Sequence, residues 1–236
     1  MYKDKSILAV VPARGGSKGI KLKNLRTVAG KSLVAWCGDV LAKCEFIDRK
    51  VVSTDHDGIA EEAMKHGIEA PFRRPEDLGG DFISDLQVLT HALLAADSFY
   101  GQQFDVVVML QPTSPARMVA HIEGCISKLV DEGLDAVWTV SPTDLKFHPL
   151  KQLLVDDKGN MDLYLEEGNK IIARQQLKPV YHRNGLCYAI TRECLLDQKS
   201  IKGKRAGAII VEGKIPNIDT MEDLLAAEEI VKAAKQ

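Results

Sequence analysis

The chain has 236 residues, 45% of them hydrophobic and 27% charged, with a formal net charge of -2. That length carries one sizeable domain with its own core, and the charge balance argues against a general nucleic-acid binder. No apolar run approaches the roughly 18 residues of a membrane helix, the N-terminal MYKDKS has no signal core, and the five cysteines form no CxxC, so a cytoplasmic protein with reduced thiols and no membrane partner is expected.

Residues 6–13, SILAVVPA, are apolar and β-branched, the pattern of a buried strand. Directly after it, residues 14–26 hold five basic residues (Arg14, Lys18, Lys21, Lys23 and Arg26) and no acid, threaded with glycine. Apolar positions at helical spacing predict a helix within 31–44. A short strand follows over 49–55, then helices over 57–67, stopped by Gly67, and over 85–100. A strand over 105–111, a helix over 119–133 and a strand over 135–140 complete the beat. Strands alternating with helices imply an α/β fold with a largely parallel sheet and right-handed crossovers. Ligands then bind beyond the carboxyl ends of the strands, so the loops RGGSKGIKLKN, STDHD and QPTSPAR matter most.

The rhythm breaks between 141 and 174. Alternation on either side of DDKGN predicts a hairpin there, read as an inserted arm that covers the site or a second subunit. Strands over 185–190 and 206–212 return to the sheet. A last helix starts at Thr220, a natural N-cap, with Asp223 completing an acidic capping box. Leu224, Leu225, Ala227, Ile230 and Val231 are its expected buried face.

RGGSKG after a strand brings backbone N–H groups close to an anion. It is neither a Walker A loop, because the lysine precedes the glycine, nor G-x-G-x-x-G. Arg14 and Lys18 near the strand end supply the two cations a polyphosphate wants; on its own, the stretch also reads as a solvated basic turn. QPTSPAR is rigid and polar, suited to a hydroxyl-rich ligand, and residues 173–185 again concentrate arginine and amide. Asp219, at the joint before the last helix, is placed to hold Mg2+ with phosphate oxygens, or simply to stabilise a helix N-terminus.

Taken together, these stretches resemble the cytidylyltransferases that activate nonulosonic acids: the CMP-N-acylneuraminate (CMP-sialic acid) synthetases and their legionaminic and pseudaminic relatives. The family's first motif, A-R-x-x-S-K-G-x-x-x-K-N, is matched by Ala13, Arg14, Ser17, Lys18, Gly19, Lys23 and Asn24. STD, RRPEDLGGD, LQPTSPAR, HPLK, RNGLCYA and IDTMEDL follow in the family's order, so the resemblance runs from residue 7 to about residue 229. It implies a single cytidylyltransferase domain over 1–236, of the nucleotidyltransferase α/β fold, with the arm at about 141–174 reaching across a homodimer. It also implies a reaction in which CTP and a free keto-sugar acid give the CMP-sugar and pyrophosphate, with Mg2+ as cofactor.

The implied nucleotide contacts are Ala13, Arg14, Lys18, Asn24, Arg74 and the loop up to Ser84. Gln111, Arg174, Asn184 and Tyr188 should face the sugar, and the planar fork of Arg174 suits its carboxylate. Arg14, Lys18, Arg174 and Asp219 are the expected catalytic groups, with Asp219 the metal ligand. Three positions depart from the family's usual pattern: Asn217 where a second metal-binding aspartate often stands, Phe82 where a small Thr or Ser follows Asp81, and His182 where some relatives have arginine. A Kdo-type octulosonate cytidylyltransferase and a non-catalytic nucleotide-binding relative are the alternatives. Which nonulosonic acid is used depends on pocket details that motifs do not carry.

Overall fold

The computed structural model describes residues 1–233. In chain order it contains β1 (Ile7–Pro12), β2 (Thr27–Val28), β3 (Lys31–Ser32), α1 (Leu33–Leu41), β4 (Arg49–Ser53), α2 (Asp57–Lys65), α3 (Asp85–Tyr100), β5 (Val106–Met109), α4 (Val119–Asp131) and β6 (Ala136–Pro142). These are followed by β7 (Leu153–Val155), β8 (Met161–Leu163), β9 (Tyr181–Thr191), α5 (Arg192–Leu196), β10 (Ala206–Ile210) and α6 (Met221–Ala233). Each helix and strand expected from the sequence forms, within a few residues at its ends.

The main sheet has the order β10-β6-β9-β5-β1-β4. β1 pairs parallel with β4 and β5, and β6 pairs parallel with β10. β9 runs antiparallel to both β5 and β6, so the sheet is mostly parallel with one reversed strand near its middle. The apolar runs are buried on both faces, as a sheet covered by helices on two sides requires. Ile7, Ala9 and Val11 of β1 meet α1, α2 and α4 on one face. Leu8 and Val10 meet α3 on the other, where Cys194 and Leu195 of α5 also pack. Successive residues serving opposite layers is the period-2 signature of a strand.

Local chemistry sets the helix ends. Ser32 Oγ accepts from the Ala35 N–H (3.2 Å) to cap α1. Ser84 and Gln87 form a capping box at the start of α3, and Gly101, at φ +64°, ends that helix. At α6 the Asp223 N–H donates to Thr220 Oγ1 (3.1 Å) while Asp223 Oδ2 accepts from Thr220 N–H (2.8 Å), the capping box read from the sequence. One expectation for α6 is corrected. Leu224, Ala227 and Val231 are buried, Ile230 is half-buried and Leu225 is exposed. The stripe i, i+3, i+7 faces inward, and Leu225 is turned about 100° away from Leu224. This stripe packs on Ile20, Val28, Leu33 and Ile218 and ties the C-terminal helix to the first loop region.

Between 141 and 174 the chain leaves the main sheet. It forms 3-10 turns and the antiparallel pair β7–β8, with Leu153 opposite Leu163 and Val155 opposite Met161. The alternation around DDKGN does form a hairpin. Leu153, Leu154, Val155 and Met161 are at least half exposed on it, and Ile172 is 92% exposed.

All five cysteines are free and buried. Burial pushes the thiols of Cys44 and Cys194 up to about 11 and raises those of Cys37 and Cys187. Both inaccessibility and the scarcity of thiolate should make them inert. The native protein should show no fast-reacting thiol with Ellman's reagent at mildly alkaline pH, and five in concentrated guanidinium chloride. A thiol titrating within seconds in the native state would contradict this packing.

Candidate active site

The loops after β1 and β5 and the segment between α2 and α3 meet at the carboxyl end of the sheet around a cavity of about 670 Å³. The segment before α6 closes one side, bringing Asn217 and Asp219 to the wall.

The first loop is held by backbone contacts that need glycine. Gly15 N–H donates to Asp55 Oδ1 (2.8 Å), in the STD stretch after β4. Gly19 lies against the backbone of Asp219: a Cβ there would stand 2.5 Å from the Asp219 carbonyl oxygen. Lys23 fixes the same approach from the side, its Nζ donating to Ile218 O (2.8 Å) and to Asp219 Oδ1 (2.8 Å). Asn24, buried, donates from Nδ2 to Arg14 O (3.0 Å) and so shapes the turn from beneath.

Arg14 and Lys18 project into the cavity, where both meet Asp81, at 2.9 Å and 2.6 Å. The hydrogen bond from Lys18, and then that from Arg14, hold the Asp81 carboxyl below the usual range. Arg74 lines the opposite wall with its guanidinium anchored on the end of β4, Nε donating to Ser53 Oγ (3.1 Å) and Nη2 to Ser53 O (2.6 Å). Asp85, in the first turn of α3, also lines the cavity, and burial raises its carboxyl above the usual range.

Six of the residues singled out in the sequence therefore share one cavity: Arg14, Lys18, Asn24, Arg74, Gln111 and Asp219. Five others do not line it. Ala13 is fully buried, its N–H donating to Ser53 O (2.9 Å). Ser84 caps α3, its Oγ accepting from Gln87 N–H (3.3 Å). Arg174 sits exposed on a 3-10 turn at the end of the arm. The Asn184 side chain is buried, accepting from Thr139 Oγ1 (2.6 Å) and Leu186 N–H (3.2 Å) and donating to Ser141 Oγ (3.0 Å). This network spans the register shift between β6 and β9. Tyr188 is 2% exposed, edge-on to Trp138 with ring centroids 5.3 Å apart, and burial raises its phenol above the usual range.

Lys23 and Asp81 were legible only as motif letters; their partners lie far away in sequence, and Asp85 carried no signal at all. Arg117, the basic end of QPTSPAR, turns inward. Its guanidinium donates to Gln111 O (2.7 Å), Gly185 O (3.0 Å) and Leu186 O, joining the β5 loop to β9.

Among the described residues no group of three or more His, Cys, Asp or Glu side chains is arranged to hold a metal. Asp219 does present a solvent-accessible carboxylate, 68% exposed, whose Oδ1 accepts from Lys23 Nζ (2.8 Å) and whose Oδ2 accepts from the Asn217 Nδ2 (3.2 Å). An exposed carboxylate of this kind suits a hard cation that keeps several waters and takes its remaining ligands from phosphate, the usual habit of Mg2+. The carboxylate fits that ion; the Asn217 amide would have to turn its oxygen inward to join it.

A mostly parallel α/β sheet with a glycine-rich cationic loop beyond its strand ends, and the Asp219 carboxylate on the same cavity, is the arrangement of a nucleotide-dependent transferase. The chain belongs to the Cytidylyltransferase family, whose sequence profile matches residues 8–234. It is 32% identical over 229 residues to a CMP-N,N'-diacetyllegionaminic acid synthase of Legionella pneumophila, covering 96% of each chain. It is 27% identical over 226 residues to a pseudaminic acid cytidylyltransferase of Campylobacter jejuni, covering 95% of this chain and 96% of the other. Among solved structures it resembles a CMP:2-keto-3-deoxy-manno-octonic acid synthetase complexed with CTP, with a TM-score of 0.73 over 97% of this chain and 99% of that one. At 15% identity that likeness is one of fold.

The Gly19–Asp219 contact generates a prediction. A methyl group there must push the basic loop and the carboxylate apart, and misplacement on the order of 1 Å costs about 10²-fold in rate. Gly19→Ala should lower cytidylyl transfer by about that factor while the thermal unfolding midpoint moves by only a few degrees. A wild-type rate would show that the loop and Asp219 need not be held together.

Proposed function

We propose that the protein transfers CMP from CTP to the anomeric hydroxyl of a nonulosonic acid of the legionaminic, pseudaminic or sialic type and releases pyrophosphate. The observation that carries this is the convergence of Arg14, Lys18 and Asp219 on one cavity in a chain of this family. The two relatives named above, whose names specify legionaminic and pseudaminic acids, favour the nine-carbon acids; the octonic acid synthetase shares the fold alone.

In this reading Arg14 and Lys18 bind the β- and γ-phosphates and offset the charge that grows on the leaving pyrophosphate. Asn24 and Arg74 form the nucleoside wall. Gln111 meets the sugar, while Asn184 and Tyr188 brace β9 behind it. Arg174 is brought by the arm to the sugar's carboxylate. Asp219, with Asn217 beside it, would hold Mg2+, which supplies charge neutralisation on the phosphates and lowers the pKa of the attacking hydroxyl. Lys23 keeps the Asp219 carboxylate aimed, through the 2.8 Å contact of its Nζ with Oδ1. The chain's contribution is alignment and charge, which is most of what phosphoryl-group chemistry asks of a protein. The arm over 141–174 is proposed as a dimerisation element, because its exposed apolar residues belong to strands too short to bury them alone. Five buried free thiols suit a cytoplasmic enzyme, and among the described residues no helix is long and apolar enough to cross a membrane.

The test of the function is pyrophosphate release with CTP, Mg2+ and a panel of eight- and nine-carbon keto-sugar acids. A nine-carbon acid should support turnover with CTP and not with UTP or GTP. Equal turnover with all three nucleotides, or with the eight-carbon acid alone, would overturn the assignment.

A Mg2+ titration of turnover addresses the metal. Asp219→Ala should almost abolish activity, whereas Asn217→Asp should keep it and lower the Mg2+ concentration for half-maximal rate, since it adds a negative charge to a site for a hard cation. Most of the wild-type rate in Asp219→Ala at saturating Mg2+ would make Asp219 only a helix-end charge.

For assembly, light scattering at micromolar concentration should show a dimer, and charged replacements of Leu154 and Val155 should break it and reduce activity. A fully active monomer would exclude the arm from that role.

A further inference from the structure

The two cations read as the triphosphate's partners are both already bound to a carboxylate of the chain itself. Asp81 Oδ1 lies 2.9 Å from Arg14 Nη1 and its Oδ2 lies 2.6 Å from Lys18 Nζ. All three residues line the same cavity. We propose that Asp81 is an internal competitor of the phosphate subsite: a carboxylate that occupies Arg14 and Lys18, and that a polyphosphate must displace to bind. The proposal rests on the CTP reading of the site and adds to it a residue that sets the affinity of its phosphate half.

Three features argue for exchange rather than a permanent brace. First, the contacts are accessible: the Lys18 side chain is 76% exposed and that of Asp81 30%. Exposed ion pairs are individually weak, and a polyanion offering several oxygens outcompetes a single carboxylate for the same guanidinium and ammonium. Second, an anion bound to the same two cations would lie close to the Asp81 carboxylate, and like charges about 4 Å apart repel by about 1 kcal/mol even in water. Third, the chain is lightly held at Asp81 itself. Gly79 packs on the Asp55 carboxylate, but a Cβ on Gly80, directly before Asp81, would meet only Ile83 Cγ1, at 3.6 Å. Phe82, next along, is 98% exposed, so moving it uncovers almost no apolar surface of its own. The segment's visible tether to the basic loop, apart from Asp81 itself, is one long hydrogen bond from Arg14 Nη1 to Gly79 O (3.4 Å).

The experiment is a calorimetric titration of inorganic triphosphate, in metal-free buffer, into the wild-type protein, Asp81→Asn and Asp81→Ala. Circular dichroism confirms that each variant is folded, and the two variants guard against an effect peculiar to one side chain. Removing two exposed ion pairs should tighten triphosphate binding roughly two- to thirtyfold in both variants, and the gain should shrink as salt is raised. A merely structural Asp81 would not increase affinity when removed. Unchanged or weaker binding in the variants would overturn the proposal, as would failure of triphosphate to bind any of the three proteins. Competition by CTP on the wild type is scored separately: if CTP fails to displace bound triphosphate, the nucleotide reading falls while the comparison of variants still decides the role of Asp81.

Discussion

The site depends on how closely the first loop of the chain can approach the last. Lys23 and Asp219 are separated by 196 positions in sequence and by 2.8 Å in space. The Lys23 side chain is only 16% exposed, so its charge has to be matched, and it is, by a carboxylate and by the Ile218 carbonyl. Gly19 makes the approach sterically possible, and the apolar contact of Ile20, Val28 and Leu33 with Ile218 and the inner stripe of α6 makes it favourable. The capping of α6 adds direction: Asp223 Oδ2 accepts from both Asp219 and Thr220 N–H groups, which turns the Asp219 side chain toward the cavity rather than into the helix. A carboxylate for a cation and cations for phosphates are thereby set on the rim of one cleft.

The loop after β5 is organised differently, by buried polar groups. Arg117 spans the β5 loop and β9 through three carbonyl groups, and Asn184 fills the register shift between β6 and β9 with three side-chain hydrogen bonds and one from Ser114 to its carbonyl. Satisfied networks of this kind specify one arrangement of a loop, because removing any member leaves a buried donor or acceptor unpaired. Gly185, at φ +73°, permits the packing: a Cβ there would lie 2.5 Å from Ser114 Oγ. The rigidity of QPTSPAR thus comes from partners across the sheet as much as from its two prolines.

Much of this was legible in the sequence, and what was not has identifiable causes. The strands and helices were readable because their apolar spacing has the period of the element it forms. The basic glycine loop stood out because its charge contradicts the composition around it. The direction of β9 was not readable: an apolar run reports burial on both faces and is silent on which way the chain runs. Nor does a motif letter reveal whether a polar side chain points into a cleft or into the fold, which is why Asn184 and Tyr188 read as sugar-facing although their side chains pack inside. Leu225 was misplaced because the buried stripe of α6 is narrow, and a residue next to Leu224 is turned about 100° from it. The pairing of Asp81 with Arg14 and Lys18 is a tertiary contact between the segment joining α2 to α3 and the loop after β1, and nothing local announces it.

If the basic loop and Asp219 form one phosphate site, the phosphates of CTP lie between them, and a crystal structure of the protein with CTP shows it directly. Triphosphate density should contact Arg14 and Lys18, with Asp219 on its flank and the base toward Arg74 and Asn24. Nucleotide bound away from this cavity, for instance in the depression lined by Lys5, Asp105 and Arg192 at the other end of the sheet, would contradict it.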